Sequence, residues 1–126
     1  MHKTSIASVR ALLGGAALAV VVATEPQAAQ VDILETIDGP QIVMIAGPIE
    51  DGNDMVFAAR TRGIEDAIVL LRGPGGSPIA AMNIGAVISE RGFDTAIVPY
   101  AECDSGCALV WLAGAERFMA PTARLN

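Results

Sequence analysis

An apolar run that ends at a glycine-rich turn limits the folds open to this chain. Residues 67–71 (AIVLL) carry no polar side chain, which is typical of a strand covered on both faces. Residues 73–78 (GPGGSP) then break the strand, and Ser77 followed by Pro78 predicts a helix start. That helix is expected to end at Gly92. A buried strand followed at once by a helix is the unit of a parallel α/β sheet.

The same strand-then-helix pattern recurs along the chain. The other predicted strands are residues 31–37, 41–46, 95–99 and 118–120, and the other predicted helices are residues 51–60 and 105–114. The first of these helices has Asp51 or Asn53 as its N-cap and an apolar face that includes Met55. No linker or repeat divides the chain after residue 29. The sequence therefore predicts one α/β domain with a parallel sheet and right-handed crossovers.

The first 29 residues have the composition of an export leader. Lys3 and Arg10 precede about 13 apolar residues, fewer than the roughly 20 that a membrane span needs. Cleavage is expected after Ala23, with a cut after Ala29 as the alternative, and residues 30–126 form the folded domain. The protein is predicted to be periplasmic or secreted, and an uncleaved N-terminal membrane anchor remains the other interpretation.

Charge and cysteine content exclude several classes of partner. After residue 23 the chain has six Arg, no Lys and 14 acidic residues, a net charge of −8, so no nucleic-acid partner is expected. Cys103 and Cys107 lie four residues apart, which leaves open a disulfide or two packed thiols. Two cysteines are too few for structural zinc, and no metal is expected.

Two strand-to-helix junctions carry the chemically interesting residues. The glycines of residues 73–76 can turn backbone N–H groups outward, where they stabilise an oxyanion. Ser105 is predicted at a helix N-terminus, where free amides favour a developing negative charge. Each feature alone is more often a simple turn or an N-cap. Together, on successive strand-helix units at one sheet edge, they form two halves of an acyl-transfer site.

An ordered set of segments resembles a known family. These segments are residues 43–51 (VMIAGPIED), 68–76 (IVLLRGPGG), 105–114 (SGCALVWLAG) and 117–124 (RFMAPTAR). Over about 80 residues they resemble the proteolytic subunit of the Clp protease and its exported relatives, within the Clp/crotonase fold. The resemblance implies repeated ββα units around a parallel sheet, incomplete at the C-terminus.

The resemblance also implies roles for particular residues. Ser105 would be the nucleophile, and the oxyanion would be bound at Gly75, Gly76 and Gly106, through the backbone amides of the latter two. Residues 73–78 would pair with an extended peptide substrate. A homo-oligomer is implied, while no cofactor is, and an ATPase partner is not expected outside the cytosol. A Cys103–Cys107 disulfide, untypical of the cytosolic enzyme, would brace the nucleophile turn.

The general base of such a site is missing from the sequence. The family supplies a histidine shortly after the stretch that resembles residues 121–124, whereas the only histidine here is His2. A Ser-Lys dyad is excluded because the only lysine is Lys3. Since serine needs a neighbouring base, the chain by itself is expected to be nearly inactive. A fragment of a longer protein and a truncated gene product are both open.

The sequence is compatible with three functions. The leading hypothesis is an exported serine peptidase completed by downstream residues. The alternative is a non-catalytic module that binds a peptide or partner strand, with Ser105 as a helix cap. A crotonase-like acyl-CoA enzyme is disfavoured because export removes the chain from coenzyme A.

Overall fold

A computed structural model describes residues 28–126 of the chain. The predicted export leader lies outside the described residues except for Ala28 and Ala29. The strands are β1 (Gln30–Leu34), β2 (Gln41–Ala46), β3 (Ala67–Arg72), β4 (Asp94–Ile97), β5 (Glu102–Cys103), β6 (Arg117–Met119) and β7 (Arg124–Leu125), and the helices are α1 (Asn53–Arg60), α2 (Pro78–Arg91) and α3 (Gly106–Leu112).

Five strands form one sheet in the order β1-β2-β3-β4-β6. The pairs β2–β3, β3–β4 and β4–β6 are parallel, which confirms the predicted α/β class. The edge strand β1 differs, because it runs antiparallel to β2. The predicted strand over residues 31–37 ends early, since the Thr36 hydroxyl donates to the carbonyls of Gly39 and Pro40 in a turn.

The sheet and the helices share one aliphatic core. Its largest fully buried side chains are Phe57, Phe93, Ile45, Ile49, Leu71, Ile84, Ile88, Ile97, Val43, Val69 and Val110. Helix α2 starts as predicted: the Ser77 hydroxyl accepts from the Ala80 amide at 3.1 Å. It ends at Gly92 in the left-handed conformation. The cap residues Ser77 and Gly92 thus determine where α2 begins and ends, and its first residue directly follows the glycine-rich turn.

Helix α1 departs from the prediction at its start and on its apolar face. Its N-cap is Gly52, in the left-handed conformation, and not Asp51 or Asn53. The Asn53 side chain instead accepts from the Glu50 amide at 2.7 Å. Met55 is 73% exposed, and Phe57 is the residue of α1 that enters the core. Burying the large aromatic ring of Phe57 gains more free energy than burying the face that includes Met55, so the helix turns Phe57 towards the core.

A second sheet has two strands, β5 and β7, which pair in parallel with Glu102 opposite Arg124 and Cys103 opposite Leu125. The exposed Arg124 and Glu102 side chains approach to 3.8 Å. An isolated bridge joins Gly73 to Cys103 and links this small sheet to the end of β3. The pair β5–β7 therefore brings the last described residues to the segment just before Ser105.

One surface contact shifts a carboxyl pKa and gives a first test of the helix packing. The Asn83 amide donates to Asp54 at 2.8 Å, and this hydrogen bond lowers the pKa of Asp54 below its ordinary value. The associated stability is present above the unfolded-state pKa and is lost as pH falls through the folded-state pKa. Asn83→Ala is expected to raise the Asp54 pKa in an NMR pH titration. Substituting the neighbouring exposed Met82→Ala should leave it unchanged.

Candidate functional site

Ser105 occupies a strained turn between β5 and α3. Its backbone has φ 54° and ψ −118°, a conformation that non-glycine residues rarely adopt. Ser105 is the N-cap residue of α3, yet its hydroxyl makes no capping hydrogen bond, and the residue is exposed. Such strain costs about 1–3 kcal/mol and persists where the surroundings enforce it, often at functional sites. Simple capping therefore does not explain the serine.

Backbone hydrogen bonds to both neighbouring strands and to helix α3 hold this turn. The Asp104 amide donates to the Gly73 carbonyl at 3.0 Å, and the Ser105 amide donates to the Asn126 carbonyl at 2.8 Å. The Cys107 amide donates to the Asp104 carbonyl at 3.0 Å, and the Ala108 amide donates to the Ser105 carbonyl at 2.9 Å. A side-chain contact adds to them, since the Asn126 amide donates to Asp104 at 2.9 Å. The turn is thus fixed from both β3 and β7.

A disulfide joins Cys103 to Cys107 across Ser105. Cys103 lies on β5 and is fully buried, while Cys107 lies in the first turn of α3 and is 3% exposed. Of the two states that the sequence left open, the structure has the disulfide. The bond ties the strand before the serine to the helix after it, so it restricts the turn from both sides.

The glycine-rich turn is clamped against a second loop. The Ile49 amide donates to the Gly75 carbonyl at 2.7 Å, and the Ser77 amide donates to the Ile49 carbonyl at 2.8 Å. Gly76, between them, has φ +143°, and a Cβ there would lie 2.0 Å from the Ile49 carbonyl oxygen. Only glycine fits such a close approach of two backbones.

The glycine-rich turn and the Ser105 turn touch each other. A Cβ on Gly75 would lie 2.7 Å from the Gly106 nitrogen and 2.8 Å from the Ser105 Cβ. A Cβ on Gly106 would lie 3.6 Å from the Gly76 nitrogen. Within residues 28–126 neither the Gly76 amide nor the Gly106 amide donates to a backbone carbonyl. The structure therefore brings together Gly75, Gly76, Ser105 and Gly106, with Gly76 exposed and Gly106 buried.

A cleft of about 310 Å³ lies beside this pair of turns. Its lining is Arg72, Gly73, Pro74, Tyr100, Glu102 and Asp104. Tyr100 is 83% exposed and, like Ser105, has a positive φ, here 64°. The two strained residues flank β5 at its two ends. Backbone strain is thus concentrated around the cleft and the Ser105 turn.

Residues 28–126 contain no group of three His, Cys, Asp or Glu side chains that could hold a metal ion. No helix in the same range is long and apolar enough to cross a membrane.

Sequence reasoning missed the residues that support the site. Ile49 carries no polar group, and nothing in its local pattern signals that its backbone clamps the Gly75–Gly76 turn. The sequence pattern assigns no role to Asn126, whereas its carbonyl accepts from the Ser105 amide. Helix α3 also begins one residue later than predicted and ends at Leu112. These contacts are non-local, and local propensity does not encode them.

The chain is similar to known proteins in its structure, whereas its sequence matches no family. No protein-family model and no curated protein sequence matches the chain. A serine-to-alanine mutant of the 1510-N membrane-bound stomatin-specific protease is 26% identical over 65% of this chain and 44% of that one, with a TM-score of 0.53. A lysine-to-alanine mutant of that protease in complex with a substrate peptide is 26% identical over 66% and 42%, with a TM-score of 0.54.

A third similar structure covers more of this chain. A Streptomyces coelicolor protein described as an enoyl-CoA hydratase is 11% identical over 84% of this chain and 50% of that one, with a TM-score of 0.50, and it bears on the fold alone. The chain spans less than half the length of the two protease structures that it matches.

Proposed function

We propose that this chain, which has the Clp/crotonase fold, is the nucleophile-bearing part of an exported serine peptidase. The observation that carries the proposal is the Ser105 turn. Its serine has a strained backbone and a hydroxyl that makes no capping hydrogen bond, and it contacts the Gly75–Gly76 turn, where the Gly76 amide donates to no backbone carbonyl. A serine held on a sharp strand-to-helix turn is the arrangement that exposes a nucleophile in other hydrolases.

The chemistry assigns one task to each part. The Ser105 Oγ attacks the carbonyl carbon of a peptide bond, and its proton passes to a general base. The amides of Gly76 and Gly106 stabilise the negative charge on the carbonyl oxygen. The tetrahedral intermediate then collapses to an acyl-serine and releases the amine, which takes the proton from the base. Water repeats the sequence on the acyl-serine and restores Ser105.

The base must come from outside the described residues, which contain no histidine and no lysine. Strand β7 supports a source that follows Asn126. Because the Ser105 amide donates to the Asn126 carbonyl, a chain that continued beyond Asn126 would leave β7 next to Ser105. A histidine supplied there needs only a short connection to reach the Ser105 hydroxyl.

Peptide is the favoured substrate. A similar structure, the stomatin-specific protease, has a substrate peptide bound. Gly76 is exposed and its amide is free of backbone acceptors within residues 28–126, so an extended peptide can pair with it. The disulfide supports an oxidising compartment and hence export. A homo-oligomer remains part of the proposal.

Covalent labelling tests the proposal directly. The protein isolated from its native host is treated with a fluorophosphonate, and the modified peptide is identified by mass spectrometry. We expect a single adduct on Ser105, lost in Ser105→Ala and retained in Ser89→Ala, an equally small change on α2. Intact mass measured on the same sample, compared with 13.0 kDa, shows whether the protein is longer or shorter than this sequence.

One observation favours the second candidate function, a peptide-binding module. Residues 28–126 supply neither a histidine nor a lysine to Ser105. Absence of the adduct, together with unchanged peptide binding in Ser105→Ala, would reject the peptidase and favour this module.

A further inference from the structure

The five-stranded sheet has its helices on one face. Strands β2, β3, β4 and β6 are parallel neighbours in chain order, so right-handed crossovers place α1, α2 and α3 on the same face. Side chains that point towards the helices, such as Val43, Val69 and Leu71, are buried in the core. The side chains that alternate with them point to the other face, which carries no helix from residues 28–126. We call it the open sheet face.

The open sheet face has an apolar centre. The strand register sets its side chains in two rows across the sheet, which are Leu34, Ile42, Ile68 and Asp94 in the first row and Asp32, Met44, Leu70, Ala96 and Phe118 in the second. The apolar members are all partly or largely exposed, up to 66% for Leu34. Because folded monomers rarely expose a contiguous apolar patch of more than a few hundred Å², such a face is typical of an interaction surface.

The sequence also indicates that both faces of this sheet are covered. Residues 67–71 carry no polar side chain, a pattern typical of a strand that is buried on both sides. The structure buries Val69 and Leu71, whereas Ile68 and Leu70 on the open sheet face stay partly exposed. The prediction is thus confirmed for one face alone, and residues 28–126 do not supply the cover for the other.

Charges on the open sheet face lie at its rim and differ in sign between its two ends. Asp32 lies on the edge strand β1, Asp94 begins β4, and the exposed Arg72 ends β3. The Glu116 amide donates to the Asp94 carboxylate at 3.0 Å and holds it at the amino end of the sheet. A two-fold axis across the strands would lay this end of one copy on the carboxyl end of another. Since β3 and β4 are neighbours, each Arg72 would then lie near Asp94 of the other copy, so the face is complementary to itself.

We propose that the open sheet face binds a second copy of this chain, with the two sheets packed face to face about 10 Å apart in a two-fold dimer. The uncharged centre supplies the apolar contact, and the opposite charges at the two ends set the register of the two copies. The inference rests on the homo-oligomer of the proposed function, to which it assigns a surface, and it does not depend on the chemistry of Ser105.

Sedimentation velocity over a range of micromolar concentrations tests the dimer. We expect the wild type to sediment as a dimer. Met44→Lys, at the centre of the face, should raise the dissociation constant by about 100-fold or more, because it places an unpaired charge between the copies. The matched variant Met82→Lys, at an exposed position on α2, should leave the constant unchanged. Thermal melting checks that both variants are folded.

A milder substitution tests the charge pairing. Asp94→Asn removes the charge and keeps an oxygen that can accept from the Glu116 amide. It should raise the dissociation constant by about 10-fold at low salt, because a two-fold dimer loses the pair twice, and by less at high salt. Asp51→Asn, at an exposed position outside the sheet, is the control and should have no effect.

Oxidation of the wild type needs no substitution. Hydrogen peroxide should oxidise Met44 more slowly as the protein concentration rises, because the second copy covers it. Met82 should react at the same rate throughout. Mass spectrometry of the digested protein follows both residues.

Other results would overturn the inference. These are a wild type that sediments as a monomer, a dimer that Met82→Lys dissociates and Met44→Lys does not, and slow Met44 oxidation at every concentration. Slow oxidation in a monomer would show that another part of the protein covers the face. Fluorophosphonate labelling of Ser105 in a monomer would leave the peptidase standing without the dimer, and an unlabelled dimer would reject the peptidase alone.

Discussion

Replacing Gly76 by alanine is expected to destabilise the fold and to suppress any reaction at Ser105. The new Cβ would lie 2.0 Å from the Ile49 carbonyl oxygen at a residue with φ +143°. Left-handed strain and backbone displacement together should cost about 3 kcal/mol or more. Because the displaced amide is a proposed oxyanion donor, fluorophosphonate labelling should slow by about 10²–10³-fold. Chemical denaturation and labelling kinetics measure the two effects.

Gly39→Ala is the matched control for this substitution. Gly39 also has a positive φ, +118°, but a Cβ there meets nothing within 4 Å. It should therefore show the backbone strain alone, about 1 kcal/mol, with labelling unchanged. Equal losses of stability in the two variants would contradict the clamp between Ile49 and Gly76.

Removing the disulfide should produce the other large effect. For the short loop closed between Cys103 and Cys107, chain entropy alone gives about 2 kcal/mol, or roughly 10 °C in the melting temperature of a domain of this size. The double variant Cys103→Ala, Cys107→Ala should also label more slowly than the wild type well below its melting temperature. The reason is that the strained Ser105 backbone relaxes once β5 and α3 are no longer linked.

Reduction provides the control for the disulfide. A reducing agent should lower the melting temperature of the wild type towards that of the double variant and should leave the variant unaffected. A variant that melts and labels as the wild type does would show that hydrogen bonds alone hold the turn.

The sequence was most informative where local signals are strong. Ser77, Pro78 and Gly92 predicted both ends of α2, and the apolar run of residues 67–71 predicted β3. The positions of the Ser105 and Gly76 turns followed from the order of strands and helices. Alternation of strand and helix also predicted the parallel sheet, because few other topologies bury such strands.

The prediction failed where a tertiary contact decides the structure. Asn53 was considered as a helix cap, yet its side chain bonds to Glu50 and to Ala29, which lies 24 residues away. Strands β5 and β7 are too short for any pattern to reveal, and they exist because each pairs with the other. The antiparallel edge strand β1 was not foreseen, since alternation predicts a strand but not its direction.

The bond between the Ser105 amide and the Asn126 carbonyl also bears on the order in which the protein is made. A chain grows from its N-terminus, so the sheet strands β1 to β4 and helix α2 exist before residues 124–126 do. Until those residues emerge, the serine turn lacks the acceptor for its amide. The Ser105 turn therefore gains this hydrogen bond only after the strands and the helix on which it rests have been synthesised.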